Sequence, residues 1–241
     1  MGGPLLNAHR ILFNDHVQVV DTISNWYGDW GTFYIFVGIL YLPFIFTLQF
    51  LLRKLPPIPQ IRYWVIFHNV AFTIFSTVGA IELTSTMYET WDAAGWNFHK
   101  TVCDGFFISK PESHWVFLFV LSKLFELCES IYIILEKKPL RFLHWYHHFV
   151  TYTFSVYSLI LNNPSALYYA WMNLAVHAIM YFYYSIATIT QTTPSWGIVV
   201  TLGQIVQMII GVLVTYEVFS CENEIEYAFP FFLQFSIFFF F

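Results

Sequence analysis

Charge is what this chain has least of. Lys, Arg, Asp and Glu together make up 10% of its 241 residues, against about 25% in an average soluble domain. With 58% of the residues hydrophobic, too little polar surface is left to cover a water-facing domain, and the soluble class is excluded. Cysteine is scarce as well. Cys103, Cys128 and Cys221 show no CxxC or zinc-type spacing, which argues against a thiolate metal site. Residues 1–31 lack the apolar core of a cleavable signal peptide, because His9, Arg10, Asp15, Asp21 and Asp29 interrupt them. The first hydrophobic run is therefore expected to act as the insertion signal. No internal repeat of the transporter kind is evident, and a net charge of -5 gives no reason to expect nucleic acid as a partner.

Long hydrophobic runs are present instead. A bilayer core about 30 Å thick takes roughly 20 residues per helical span, and the runs predict spans over Thr32–Leu52, Tyr63–Tyr88, Trp115–Leu135, Leu143–Leu161, Ala166–Ile189 and Trp196–Phe219, with a short last one over Tyr227–Phe241. The expectation is an all-α, polytopic membrane helix bundle of about seven spans, one transmembrane domain over 1–241, with the seventh span incomplete at Phe241 and a kink at Pro43. Arg53, Lys54 and Arg62 flank the first connection and Lys137, Lys138 and Arg141 fill the third, so these should face the cytosol and residues 1–31 the opposite, lumenal side. Cys103 and Cys221 then share the lumenal side, where an oxidising compartment would let them pair. Two unrelated free thiols are the plain alternative.

Within the runs, the few polar residues recur at helical spacing. Lys123, Glu126 and Glu129, with Ser130, form one stripe; His144, His147 and His148 stand at i, i+3 and i+4 on one helical face. Asn173, His177, Tyr181 and Tyr184 form a third stripe, and Thr201, Gln204 and Gln207 a fourth. Ionisable groups at membrane depth are costly and face a cavity, so four stripes on consecutive spans imply one enclosed polar chamber. Three clustered imidazoles can take a proton, give one, attack a carbonyl or bind a metal near neutral pH.

The pieces Lys123-x-x-Glu126-x-x-Glu129-Ser130, His144-x-x-His147-His148, Asn173-x-x-x-His177-x-x-Met180-Tyr181-x-Tyr183-Tyr184 and Thr201-x-x-Gln204-x-x-Gln207 occur in the order found in the ELO family, the membrane fatty acid elongases. The chain resembles that family closely from the third to the sixth span. The Trp145-Tyr146 filler resembles the group acting on saturated and monounsaturated chains. One departure stands out: the family's usual Asp-Thr is here Glu129-Ser130, a carboxylate longer by one methylene and a hydroxyl shorter by one methyl.

The resemblance implies condensation of a long-chain acyl-CoA with malonyl-CoA to a 3-ketoacyl-CoA in the endoplasmic reticulum membrane, with no cofactor and no metal. It also implies a ketoacyl-CoA reductase, a dehydratase and an enoyl reductase as partners in the cycle, and leaves a homo-oligomer open. Soluble condensing enzymes carry the acyl group on cysteine. Here Cys128 lies roughly 200° around its helix from Glu126, off the polar stripe. Histidine is then the expected carrier: His147 as nucleophile, His144 and His148 orienting or moving protons, His177 and Asn173 holding the thioester oxygen. Lys123, Glu126, Glu129, Tyr181, Tyr184, Gln204 and Gln207 would bind and polarise substrate, and Lys137, Lys138 and Arg141 would meet the CoA phosphates. Two other classes compete: a membrane di-iron desaturase or hydroxylase, which also uses HxxHH boxes, and a seven-span transporter or receptor.

Overall fold

A computed structural model of the protein describes residues 19–104, 114–160, 163 and 165–221. Among these, every regular element is a helix: α1 (Val19–Leu52), α2 (Ile61–Ala93), α3 (Phe98–Cys103), α4 (His114–Glu126), α5 (Cys128–Leu135), α6 (Phe142–Ile160), α7 (Ala166–Thr190) and α8 (Gly197–Val218). The hydropathy pattern thus yields the right class of fold. Its boundaries differ in places. α1 starts well before Thr32 and passes unbroken through Pro43, and α2 overruns the expected second span at both ends. The helix expected over Trp115–Leu135 is two, interrupted at Leu127, although the Leu127 amide still reaches the Lys123 carbonyl at 3.3 Å.

Three segments, Thr32–Leu52, Ile61–Ala93 and Gly197–Val218, are long and apolar enough to cross a membrane. Of the helices between them, α4 and α5, with 13 and 8 residues, are each too short to cross alone, and α6 and α7 carry the histidines and asparagine of the second and third stripes. The count of about seven therefore goes beyond what length and composition alone support, and Tyr227–Phe241 lies outside the described residues. The outer faces of α1, α2 and α8 expose Phe36, Leu40, Tyr63, Trp64, Ile205 and Ile209. An apolar belt of this size is an interaction surface, here for the acyl chains of lipid.

α2 packs along α7, α1 along α6 and α5, α4 along α6, and α8 along α7. The α2 and α7 helices approach closely because Gly79 lets them: a Cβ there would stand 2.9 Å from Trp115 Cε3 and 3.0 Å from Leu174 Cδ1. Contacts between α6 and α7 are few by comparison, and the space left beside them is the chamber described below.

The two ends of the bundle are chemically distinct. At one end Arg62 donates from Nε and Nη2 to the Thr188 and Ile189 carbonyls that finish α7, at 3.0 to 3.2 Å. Lys137 Nζ donates to the Leu52 carbonyl that finishes α1, at 2.6 Å. Cations placed on the open carbonyls of helix C-termini satisfy groups that have no partner within the helix. At the other end α3 is joined to the end of α8 by the Cys103–Cys221 disulfide, with Cα atoms 5.6 Å apart. His99 Nδ1 and Glu217 Oε1, 2.7 Å apart, lie beside it.

Candidate active site

The chain turns sharply before the histidines. α5 ends with the Lys138 amide on the Ile133 carbonyl and the Lys137 amide on the Ile134 carbonyl, at 3.1 and 3.2 Å. This is a Schellman ending with Lys137 at the left-handed position, φ 59°. Pro139 follows, cannot continue a helix, and leaves α6 to start at Phe142. The result is an antiparallel return that sets the first turns of α6 beside the end of α4 and α5.

There the polar stripes meet. Lys123 is 2% exposed and Glu126 2%. The Lys123 ammonium donates to both Glu126 oxygens, at 2.8 and 2.9 Å, and to Asn173 Oδ1 at 2.7 Å. Those three bonds use the three donors an ammonium has. With Oδ1 of Asn173 so engaged, its NH2 group is the end left to donate into the chamber. His177 Nδ1 lies 3.5 Å from Glu126 Oε1. One turn toward the histidines, Glu129 accepts from His68 Nε2 at 3.2 Å, has His148 Nε2 at 3.3 Å and accepts a short bond from the Tyr181 hydroxyl. His144 Nε2 is 3.2 Å from Ser130 Oγ, which in turn is 2.7 Å from the Tyr41 hydroxyl. The His144 and His148 rings are 4.4 Å apart, and those of His147 and His148 5.9 Å.

Glu126, Glu129, His144, His147, His148, Asn173, His177, Tyr181, Tyr184, Gln204 and Gln207 all border one cavity of about 350 Å³, and Arg141 stands at its edge. Gln204 Nε2 reaches Met180 Sδ at 3.7 Å. Thr201 is exposed instead, its hydroxyl on the Gly197 carbonyl. The expected basic triad is split. Lys137 is spent on the end of α1, Lys138 pairs with Glu136 at 2.7 Å, and only Arg141 borders the cavity. A narrow apolar void between Phe119, Phe154 and Tyr169 lies two helical turns deeper along the same three helices. Cys128 is a free, half-buried thiol and not part of the cavity wall.

Two groups were not singled out from the sequence. His68, on α2, and Tyr41, on α1, both reach the site from spans whose hydropathy alone had been read. A histidine in an otherwise apolar span is the signal that could have found the first. For metals, one group of three donors among the described residues, Glu129, His144 and His148, lies with ligand atoms within 4.8 Å of one another. Both oxygens of that carboxylate already have protein partners.

A site assembled from these four stripes, in this order along the chain, has a counterpart among known proteins. The ELO profile, described as the GNS1/SUR4 family, matches residues 26–241. The chain belongs to the ELO family. Among the relatives of this ELO protein is very long chain fatty acid elongase 6 of Mus musculus, 34% identical over 222 residues, covering 91% of this chain and 82% of the relative. The Gallus gallus protein of the same name is 32% identical over 222 residues, with 89% and 81% covered. Long chain fatty acid elongase 1 of Caenorhabditis elegans is 35% identical over 176 residues, with 72% and 60% covered. The nematode relatives are longer: the ELO chain spans about three fifths of the length of two of them.

Proposed function

We propose that the protein condenses a long-chain acyl-CoA with malonyl-CoA to give a 3-ketoacyl-CoA, CO2 and CoA, the work of a 3-oxoacyl-CoA synthase in fatty acid elongation. The observation that carries this reading is the convergence of His144, His147, His148, His177 and Asn173 on one cavity bordered at its edge by Arg141. Kinship to proteins named very long chain fatty acid elongases supports it.

In the first half-reaction a ring nitrogen of neutral His147 attacks the thioester carbonyl. The carbon–sulfur bond breaks, CoA leaves as thiolate, and the proton from the other ring nitrogen neutralises it. The Asn173 NH2 group donates to the carbonyl oxygen as negative charge builds there. His177 completes the wall beside it, its Nδ1 3.5 Å from Glu126 Oε1. In the second half-reaction malonyl-CoA loses CO2, and the enolate carbon attacks the acyl carbon. A carbon–carbon bond forms, the acyl–nitrogen bond breaks, and His147 recovers a proton. Lys123 keeps Glu126 ionised and fixed, so that the charge around the reacting carbonyl is set before substrate arrives.

Arg141 is the cation nearest to hand for a CoA phosphate, and Tyr184 and the two glutamines border the substrate's path. The acyl chain is of the saturated or monounsaturated kind, on the Trp145-Tyr146 filler. By the positive-inside rule the Arg62 and Lys137 end faces the cytosol and the disulfide end the lumen of the endoplasmic reticulum. The reductases and dehydratase of an elongation cycle would consume the product.

The test is mass spectrometry of purified protein incubated with acyl-CoA alone and digested under conditions that spare acyl-imidazole. The expected result is one acyl mass on the peptide containing His147, discharged by malonyl-CoA. No adduct, together with undiminished condensation by His147→Ala, would sink the covalent mechanism. No condensation by the wild type would sink the function.

A further inference from the structure

The geometry points to His68 as a positioning residue that, through Glu129, holds His148 in one tautomer. This inference rests on the condensation reading above for its kinetic consequence, and on the structure alone for its tautomeric one.

Glu129 is gripped from two sides. Its Oε1 takes His68 Nε2 at 3.2 Å and the Tyr181 hydroxyl, while Oε2 faces His148 Nε2 at 3.3 Å. A carboxylate in this position accepts only, so these contacts favour, for each neutral imidazole, the tautomer with its proton on Nε2. For His148 that leaves Nδ1 as the bare nitrogen, the one able to take a proton during turnover. A carboxylate fixing the tautomer of a working imidazole is a recurrent device. What is particular here is the element that fixes the carboxylate.

His68 is built for that task. It is 7% exposed, its ring stacks on Phe72 at 4.4 Å and 20°, and Tyr132 and Tyr181 stand edge-on to it at 5.4 and 6.0 Å. Three aromatic neighbours restrict the turning of the ring, with Nε2 toward Glu129. The residue that reaches it is also the one that departs from the family pattern. An aspartate at 129 would withdraw the carboxylate by one methylene, roughly 1.5 Å of reach, and could not span His68 and His148 together. Glu129 and His68 thus form a matched pair: the longer acid is steadied by a partner on α2.

The experiment uses the full chain in detergent, with His68→Phe, His68→Gln, Glu129→Asp and the His68→Phe/Glu129→Asp double variant. His68→Phe keeps the aromatic stack but removes the donor, and His68→Gln restores an N–H. His68→Phe is expected to lower kcat about tenfold with KM for acyl-CoA within about twofold, the signature of a group that acts on the transition state only. His68→Gln should recover most of the loss, and the His68→Phe effect should vanish in the Glu129→Asp background, where the bridge is already broken. Histidine nitrogen-15 spectra should show His148 as the Nε2–H tautomer in the wild type and as a mixture in His68→Phe. That readout does not depend on turnover. A single Nε2–H species for His148 in His68→Phe, or a wild-type kcat in that variant, overturns the inference. An inactive wild type with the expected tautomer change overturns the condensation reading and leaves the positioning role standing.

Discussion

Lys123 shows how much one side chain carries here. Its ammonium is buried with Glu126 at 2.8 Å, bonded to Asn173 at 2.7 Å and set 4.6 Å from the centre of the Phe119 ring. Removing one member of a buried pair leaves the other charged and without compensation, at a cost of about 3–5 kcal/mol, whereas removing both can be nearly neutral. Lys123→Met is therefore expected to lower the melting temperature sharply, and Lys123→Met/Glu126→Gln to regain most of it. Thermal unfolding of both variants in the same detergent checks the order. Activity should not follow stability. The double variant also frees Asn173 Oδ1 and replaces the carboxylate beside His177 Nδ1 with a neutral amide, so it should fold and still condense poorly.

Among the elements, the polar stripes that border the chamber were legible from spacing, and the residues that reach them from α1 and α2 were not. Lys123, Glu126 and Glu129 repeat at three, and Asn173, His177 and Tyr181 at four, so each set had to share a helical face wherever the helix lay. The carboxylate that His68 meets is 61 residues away, and no period reports such a pairing. The contact made by Lys137 was not legible for a different reason. A basic residue in a short connection looks the same in sequence whether it awaits a phosphate or caps a neighbouring helix, and here a left-handed φ and the nearby end of α1 bring the side chain onto the Leu52 carbonyl. Gly79 was likewise silent in the sequence, since its role exists only where α2, α4 and α7 meet. Gly79→Ala forces a methyl to 2.9 Å from the Trp115 ring and should destabilise by about 1–3 kcal/mol. Gly203→Ala is the control, because the nearest atom to its Cβ is Val176 Cγ2 at 3.9 Å. Melting curves should separate the two, with Gly203→Ala at or slightly above the wild type.

For the whole molecule, the distribution of fastening matters more than any one bond. The basic end is held by side chains on helix termini, and the chamber by ion pairs and hydrogen bonds across α1, α2, α4, α5, α6 and α7. The far end depends on a covalent tie. Cys103 and Cys221 are 118 residues apart in sequence, and closing a loop of that size restricts the unfolded chain by roughly 4–5 kcal/mol in the chain-entropy account. α2 alone, with 33 residues, is about 50 Å long, so the tie sits far from the histidines and should matter to persistence of the fold rather than to chemistry. Cys103→Ser/Cys221→Ser is expected to melt well below the wild type and to abolish the wild type's sensitivity to reductant. At a temperature where both remain folded its kcat should stay within about twofold of the wild type, since nothing bordering the chamber has changed. A tenfold fall in kcat under those conditions would mean that the α3 clasp is mechanically coupled to the imidazoles through α7, whose Tyr168 hydroxyl is bonded to Thr101 of α3 at 2.6 Å, and the division between a fastened end and a working end would have to be given up.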